Sequence, residues 1–545
     1  MNNLNSMKQL VLVVLLILCR ASFGQTVGTI QYDNGTYDGY SIMHPLNFDT
    51  SYLIDNCGKV INNWPSDFLN STFAEITTNG TLIRSSVDPN TTSFQAGGGA
   101  GILQELAWDG SVIWNHVISD ANMRLHHDVE ILPSGNLLVI AWELKNQAEC
   151  YAAGRNPGTL VEDEMWPTVI YELEQVYPTG ANIVWEWHAW DHLIQDSVPS
   201  SGNYGNVQAN FRRIDIHKGN SSSAPDWVHM NAIHYNAELD HIILSAPMFN
   251  EIWMIDHSTS TAEAADSVGG NRGVGGDLLW RWGNPQSYNQ GSSAEQKLFF
   301  QHDCQWVEAG VRFDEHISVF NNRDVINGQL RSSVKIIRVH FDTISNSYPM
   351  NNGVFLPDLA DYTYELSDTT ISPGLSGVQV LPNDNLLITA GPHGHVFEID
   401  SSDNVLWQYK VPMSAAGVIT AQGDPAGLTK KIFKMKRYTS DYIGFDGEDL
   451  SPGVQIELNP LPCTSIVGLE EIKNEEYHIY PNPATDYLEL TELNPDFEVS
   501  VTDGLGRLLY TFKTNDSDLR IDCSEWKSGM YYLKHQANVL SVVVN

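Results

Sequence analysis

Residues 131–142 read ILPSGNLLVIAW, and a close copy, VLPNDNLLITAG, returns at residues 380–391. In each copy a polar turn separates two runs rich in aliphatic and β-branched residues, which is the pattern of a β-hairpin. A looser copy, NAELDHIILSA, occupies residues 236–246. The chain is therefore predicted to consist largely of repeated strand–turn–strand units.

A second phrase, which carries tryptophan, occurs between the hairpins. Its copies are DGSVIWNH (109–116), GANIVWEWH (180–188), GDLLWRWG (276–283) and DNVLWQYK (403–410). Strand units that recur in this way are typical of a β-propeller. The uneven spacing of the phrases does not fix the number of blades, and an array of β-sandwiches is the alternative.

Composition sets the size and charge of the molecule. The chain has 545 residues, of which 42% are hydrophobic, and its 15 Trp, 22 Tyr and 42 Gly favour β structure. This length indicates two or more domains. The net charge of −36 repels nucleic acid and anionic membranes, so we expect neither as a partner.

The N-terminus is typical of a secretory signal. Lys8 precedes the apolar run Leu10–Leu18, and small residues follow through Gly24. We therefore predict a signal peptide over residues 1–24. The apolar run is too short to span a bilayer and no later stretch is long enough, so no membrane span is expected.

Five cysteines follow the predicted signal peptide, and none is in a CxxC spacing: Cys57, Cys150, Cys304, Cys463 and Cys523. One disulfide is possible, and the odd number leaves at least one thiol unpaired. A cysteine zinc site is not expected.

The first of three histidine phrases is RLHHDVEILP, residues 124–133. Alternate side chains of a strand share a face. This places His127 with the apolar Val129, while His126 shares the other face with Asp128 and Glu130. His127 is predicted to point toward the interior.

The other two phrases are DWVHMNAIHYN (226–236) and LFFQHDCQW (298–306). Strand alternation there places His229 on one face with Asn231, and His302 with Phe300 and Trp306. Burial beside these apolar rings should depress the pKa of His302 and keep it neutral.

A hydrogen-bonded structural histidine is the simplest interpretation of each phrase taken singly. A zinc or copper cluster is a second one. The three phrases contain no i, i+4 metal pair, and alternation places Asp128 and Asp303 on the opposite strand face. No metal site is predicted.

Six motifs together resemble the bacterial arylsulfotransferase family over roughly residues 26–460. They are HHDVEILPSGNLLVIAWE, WEWHAWDHLIQD, DWVHMNAIHYN, EIWMIDHSTSTAEA, GGDLLWRWGNPQSY and LFFQHDCQWV. The resemblance implies an all-β, six-bladed β-propeller, here over residues 25–463, with its active site at the central channel. It also implies transfer from aryl sulfates to phenols without a cofactor.

The family's transiently sulfated histidine matches His302, and its two supporting histidines match His127 and His229. These are the three histidines that alternation turns inward. We add Asn231 and His126 as candidate substrate-binding residues because they neighbour this set.

One position departs from the family. Its members typically carry an arginine in the strand before the EIW motif, where this chain has Pro247. Arginine suits anionic oxygens, whereas proline supplies no donor. Arg323, in VFNNRD (319–324), is the candidate replacement. The alternative is a propeller that has lost catalysis and binds a sulfated or phenolic ligand.

The C-terminal residues form a separate pattern after an acidic connector over residues 464–475. The motifs YPNPATDYL (480–488), DGLGR (503–507) and SGMYYLK (528–534) resemble the C-terminal sorting domain of the type IX secretion system. The resemblance implies a small β-sandwich over residues 476–545 and export through the periplasm to the surface or medium by that machinery. An accessory β-sandwich without a secretory role is the alternative.

Overall fold

A computed structural model describes residues 26–220, 224–326, 328–367, 370–424, 429–463, 478–491, 498–503, 507–513, 518–535 and 538–544. The predicted signal peptide and the connector over residues 464–475 lie outside the described residues. The chain divides into two compact units, residues 1–465 and 466–545. The predicted all-β class is confirmed, since nearly all regular structure is strand.

The described part of the larger unit contains six antiparallel sheets of four or five strands, which are named below in spatial order. The first sheet consists of Lys436–Thr439, Gly39–Met43, Thr50–Ile54 and Val60–Pro65. The second consists of Asn70–Ile76, Leu82–Val87, Gly101–Leu106 and Val112–Val117. The third consists of Met123–Ile131, Leu137–Glu143, Thr168–Gln175 and Ala181–His188.

The remaining three sheets follow the same plan. The fourth consists of Ala232–Asn236, His241–Ala246, Glu251–Asp256 and Trp280–Trp282. The fifth consists of His302–Trp306, His316–Ile326, Gln329–Arg338 and Tyr362–Glu365. The sixth consists of Gly377–Val380, Leu386–Ala390, His395–Ile399, Val405–Lys410 and, from the start of the chain, Gly28–Tyr32.

Short elements decorate these sheets. Three two-stranded pairs are Lys145–Asn146 with Glu164–Met165, Leu193–Ile194 with Ile214–Asp215, and Met350–Asn351 with Val354–Phe355. The α-helices are Gln147–Ala152 and Thr261–Ala264. The 3₁₀ turns are Ala189–His192, Pro285–Tyr288, Ser293–Glu295, Gly391–His393 and Ile443–Phe445. Among the described residues, no helix has the length and apolar character that crossing a bilayer would require.

The six sheets contact one another in a closed series. Strands of each sheet contact the next sheet along the chain, from the first to the sixth. The sixth meets the first where Leu387 and Trp407 share a buried cluster with Met43 and Ile54. Apolar side chains between neighbouring sheets therefore form most of the core.

The repeated phrases have the structures that the sequence predicts. In the 131–142 phrase one strand ends at Ile131, and its antiparallel partner begins at Leu137. In the 380–391 phrase the break lies between Val380 and Leu386. The hairpin prediction is confirmed at both places.

The tryptophan phrases form the fourth strand of their sheets, and their indole N–H groups bond to the following sheet. The bonds run from Trp114 to Gly180 O (2.7 Å), Trp187 to Gly276 O (2.8 Å), Trp280 to Leu356 O (2.8 Å) and, from the sixth sheet back to the first, Trp407 to Asn56 O (2.7 Å). Trp64, which lies outside these phrases in the fourth strand of the first sheet, makes the same kind of bond to Ala107 O (3.0 Å). A buried indole needs such an acceptor. The repeat in the sequence is thus explained by repeated contacts between sheets.

One disulfide joins the two ends of the larger unit. Cys57, which follows the strand Thr50–Ile54, is bonded to Cys463 across 406 residues of chain. The remaining described cysteines, Cys150, Cys304 and Cys523, are buried free thiols.

The smaller unit contains two sheets. One consists of His478–Tyr480, Tyr487–Thr491 and Leu519–Asp522, and the other of Leu508–Lys513, Glu498–Asp503, Gly529–His535 and Asn538–Val544. Both contribute to one buried cluster that includes Leu488, Val499 and Leu533.

Candidate active site

The three histidines that the sequence singles out lie in one cluster. The rings of His127 and His229 are 4.6 Å apart between centroids. The Phe433 ring packs against both His127 and His302, with ring centroids 6.3 Å and 5.9 Å apart. Phe300 contacts His302 (5.6 Å) and stacks on His229 (6.0 Å). The third, fourth and fifth sheets therefore each bring one histidine to a common point.

Regular strand alternation, from which the orientation of these histidines is predicted, is wrong at all three phrases. His127, His229 and Asp303 have left-handed backbones, with φ of 55°, 54° and 54°. The strands at the second and third phrases begin only at Ala232 and His302. Left-handed residues and bulges interrupt a strand and re-aim its side chains.

The bulge at the first phrase is the widest. Val129 pairs with Val139 and Leu125 with Ala141, so three residues, His126 to Asp128, face one residue of the partner strand. Both histidines are consequently buried, at 1% and 3% exposure.

His302 has a fixed tautomer. Its Nδ1 lies 2.8 Å from Asn322 Oδ1. The Asn322 amide nitrogen donates to the carbonyls of Ser372 and Leu375, both at 2.8 Å, so its oxygen is the acceptor. His302 Nδ1 must then carry the hydrogen, which leaves a lone pair on Nε2.

The surroundings of His302 keep the ring neutral. Burial lowers its pKa to about 3, and the side chain is 2% exposed. The Nε2 lone pair accepts from the Leu375 backbone N–H at 3.2 Å. A group that reacts at Nε2 must displace this long hydrogen bond.

His229 is paired with a carboxylate. Its Nδ1 is hydrogen-bonded to Asp226, whose other oxygen accepts from Trp142 Nε1 at 2.9 Å. Its side chain is 13% exposed, against 2% and 3% for residues His302 and His127. This histidine is therefore the one most accessible to a ligand.

His127 and His126 form a neutral pair. Their Nδ1 atoms are 2.8 Å apart, and His126 stacks on Trp142 at 4.0 Å. Burial first, and the neighbouring His229 second, hold the pKa of both rings well below the usual value. A neutral pair with this contact shares one Nδ1 hydrogen. His126, predicted to bind substrate, lies in this structure as a partner of His127.

The other predicted residues lie around the cluster. Asn231 is buried, and its amide nitrogen donates to Gln301 O at 2.9 Å. Arg323 donates to Pro373 O at 2.9 Å, and its guanidinium carbon lies 3.7 Å from the Phe300 ring centroid. Pro247 is buried in the turn before the strand Glu251–Asp256.

The sequence of the chain matches the profiles of two known protein families. The family profile described as arylsulfotransferase (ASST) matches residues 75–411. The chain belongs to this family. The profile of the secretion system C-terminal sorting domain, of the type IX kind, matches residues 478–544. That domain assigns the protein to secretion or cell-surface attachment by the type IX machinery.

Solved structures offer only distant likenesses. A protein of unknown function from Bacteroides caccae is 11% identical (73% of this chain and 98% of that chain covered, TM-score 0.37). A streptogramin B lyase is 9% identical (76% and 95%, TM-score 0.33). A virginiamycin B lyase from Staphylococcus aureus is 8% identical (71% and 88%, TM-score 0.32). These likenesses are too weak to assign an activity. No curated protein matches the chain.

The glycine segment 97–101 contacts His127 and His229, although none of the sequence motifs includes it. Gly98 has φ +78°, and its carbonyl accepts from the His127 backbone N–H at 2.8 Å. A Cβ on Gly98 would overlap the His127 ring, and one on Gly97 would touch His229. The run GGGAG (97–101) is the signal that could have located this segment.

Two further residues of the site are not predicted from the sequence, Asn322 and Lys434. Asn322 directly precedes the predicted Arg323. Lys434 lies in KKIFKMKR (430–437), a basic cluster in a chain with only 30 basic residues. Its ammonium group binds Asp128 at 3.2 Å and Asp303 at 3.0 Å.

Strand alternation predicts these two carboxylates on the strand face opposite His127 and His302, and it does not predict that the two meet. They are instead 1% exposed and gathered around one cation. Among the described residues, no group of three or more His, Cys, Asp or Glu side chains is arranged to hold a metal ion.

Proposed function

We propose that the protein is a secreted sulfotransferase that moves a sulfuryl group from an aryl sulfate to a phenol through a sulfated His302. Membership of the arylsulfotransferase family supports sulfotransferase function in general. The observation that carries the finer proposal is the state of His302, with its Nδ1 hydrogen held by Asn322 and its Nε2 lone pair directed away from that bond. A neutral imidazole in this tautomer is a competent nucleophile.

The fold proposal follows from the contacts between sheets. We propose that the six sheets are the blades of a β-propeller over residues 25–463, with the histidine cluster at its central channel. Their closed series of contacts supports this. We propose a β-sandwich for residues 476–545, supported by the cluster shared between its two sheets.

In the first half-reaction, the Nε2 lone pair of His302 forms a bond to sulfur while the bond from sulfur to the aryl oxygen breaks. The electron pair of that bond leaves with the oxygen. His229, protonated on both ring nitrogens in this step, supplies its Nε2 proton to the departing phenolate and becomes neutral. Asp226 orients His229 for this task through Nδ1. The products are a phenol and a sulfated His302 whose positive ring is balanced by the negative sulfuryl oxygens and which still donates from Nδ1 to Asn322.

The second half-reaction is the reverse with a different phenol. The acceptor oxygen attacks sulfur, its proton passes to His229, and the nitrogen–sulfur bond returns its electrons to Nε2. A loose transition state of this kind places charge on the three non-transferred oxygens. His127 and the Leu375 N–H are the proposed donors to them, and a positioned donor contributes about 3–4 kcal/mol in other enzymes.

Pro247 favours a second candidate function. Without the family arginine the channel lacks a forked cation at that position, and Arg323 is engaged with Pro373 and Phe300. A propeller that binds a sulfated or phenolic ligand without turnover is the alternative. We propose retained activity at a reduced rate, because Asn322 still holds His302 in the tautomer that leaves the Nε2 lone pair free to react.

The decisive test measures nitrophenol release from 4-nitrophenyl sulfate, with and without phenol, for the mature protein and His302→Ala. Acceptor-dependent release that the substitution abolishes supports the proposal, as does an 80-Da adduct on the His302 peptide, about the mass of one sulfuryl group. His234→Gln is the matched control, because His234 is also a buried histidine whose pKa burial lowers to about 3. No release from any folded variant favours the binding protein.

A further inference from the structure

We infer that Lys434 is a positioning residue for the histidine cluster, acting through the aspartates that follow His127 and His302. Its Nζ lies 3.2 Å from Asp128 Oδ2 and 3.0 Å from Asp303 Oδ1. Each carboxylate belongs to the residue directly after a reactive histidine. The inference rests on the proposed function for its effect on rate, but the geometry can be tested without turnover.

The two aspartates extend the contact to neighbouring sheets. Asp303 Oδ2 accepts from the Val378 N–H at 3.0 Å. Asp128 Oδ2 accepts from the Ile233 N–H at 3.4 Å. One ammonium group therefore links backbone of the third, fourth, fifth and sixth sheets at the point where the histidines meet.

The same segment also supplies an aromatic contact. Phe433, the residue before Lys434, lies against the rings of both His127 and His302. Phe433 thus packs against the rings of His127 and His302. Lys434 forms ion pairs with Asp128 and Asp303, the residues that follow these histidines. This segment lies beyond the family match, which ends at residue 411.

The charge of Lys434 should keep Asp128 and Asp303 in place. Both aspartates are 1% exposed, and the Lys434 side chain is 15% exposed. Two buried carboxylates repel each other, and one cation between them offsets that repulsion and their desolvation. Without the ammonium group the carboxylates must separate or take up a proton. Separation moves the backbone at residues 127 and 302, because each aspartate adjoins its histidine.

The chain offers a matched control two residues away. Lys436 is also a partly exposed lysine in an ion pair, but its partner is Glu75 Oε2 at 2.6 Å rather than Asp128 or Asp303. Lys434→Met and Lys436→Met each remove one ammonium group and keep a similar side-chain length. Lys434→Arg keeps the charge.

Turnover of 4-nitrophenyl sulfate gives the first readout. Lys434→Met should lower kcat about 100-fold and change KM less than about threefold, because a misplacement of about 1 Å costs that much in rate. Lys434→Arg should recover at least about tenfold of this loss. Lys436→Met should stay within about threefold of the wild type. Equal losses in the two methionine variants, or losses that follow Tm, overturn the inference.

Histidine NMR gives a readout that does not need an active enzyme. In ¹⁵N-histidine-labelled protein, the wild type and Lys436→Met should show His302 as the Nδ1–H tautomer, assigned by its absence from His302→Gln. Lys434→Met should shift or broaden the His302 and His127 signals. If the wild type has no turnover but these signals behave as stated, the proposed function fails while the positioning role stands. Unchanged signals in Lys434→Met overturn the role.

Discussion

Replacing Asn322 by leucine should inactivate His302 while leaving it in place. The substitution keeps the approximate size of the side chain and removes the oxygen that accepts from His302 Nδ1. It also removes the two donations to the carbonyls of Ser372 and Leu375. The Nδ1 hydrogen then has no acceptor, and the ring can rotate or adopt the tautomer that blocks Nε2.

The size of the effect follows from the hydrogen bonds lost. A buried donor left without its partner costs about 1–3 kcal/mol. If that cost falls on the reactive tautomer of His302, kcat should fall about 5- to 150-fold, since each factor of ten corresponds to about 1.4 kcal/mol. The Leu375 carbonyl loses its side-chain donor, which should also lower the free energy of unfolding by about 1–3 kcal/mol, whereas Ser372 O keeps a contact with Ser332 Oγ at 3.3 Å.

Asn321→Leu is the control that separates these effects. Asn321 is also fully buried, and its side chain accepts from the Phe299 N–H and donates to Asp324. It should lower stability comparably but leave the His302 tautomer intact. The assay is phenol-dependent nitrophenol release at saturating donor, alongside urea unfolding. Equal falls in kcat for the two variants, or near-normal turnover in Asn322→Leu, would refute the role assigned to Asn322.

Three further predictions test the surroundings of the cluster. Gly98→Ala should reduce turnover by at least about tenfold, because the added Cβ displaces the His127 ring. Gly110→Ala is the control, since Gly110 has a similar φ of +85° and open space around it. That variant should keep normal turnover and show only the loss of stability that a Cβ at positive φ causes. Burial raises the pKa of Glu130 from 4.5 to about 8, so between these pH values the folded state retains a proton that the unfolded chain loses. The free energy of unfolding should therefore fall as the pH rises through this range. Glu130→Gln should flatten that dependence when stability is measured by urea unfolding at each pH. If Arg323 replaces the family arginine, Arg323→Ala should cut turnover as deeply as a histidine substitution, and a near-normal rate would exclude that role.

The sequence was sufficient for features that depend on local patterns. Hairpin phrases require only a polar turn between apolar runs, and the strands end at Ile131 and Val380 as those runs predict. The three histidines are identified because family motifs carry them. Their assembly into one cluster agrees with the predicted inward orientation, although regular alternation is not its cause.

The sequence was insufficient where the backbone leaves the regular strand. Positive φ at His127, His229 and Asp303 cannot be predicted from the residue types alone, because histidine and aspartate are enriched at positive φ but adopt it in only a minority of cases. Alternation therefore does not show that Asp128 and Asp303 converge on one cation. Lys434 escapes prediction for another reason: its partners are 306 and 131 residues away along the chain.

The bond between Cys57 and Cys463 has a consequence for maturation. Cys463 precedes the C-terminal unit, which begins at residue 466. A protease that cuts between Cys463 and the C-terminal unit would release the sorting domain. Residues 57–463, which include strands of all six sheets, would remain in one covalently closed loop. The disulfide and every residue of the histidine cluster would therefore stay with the larger unit. The sorting domain and the histidine cluster belong to separate parts of the chain, and the boundary between these parts lies within a few residues of Cys463.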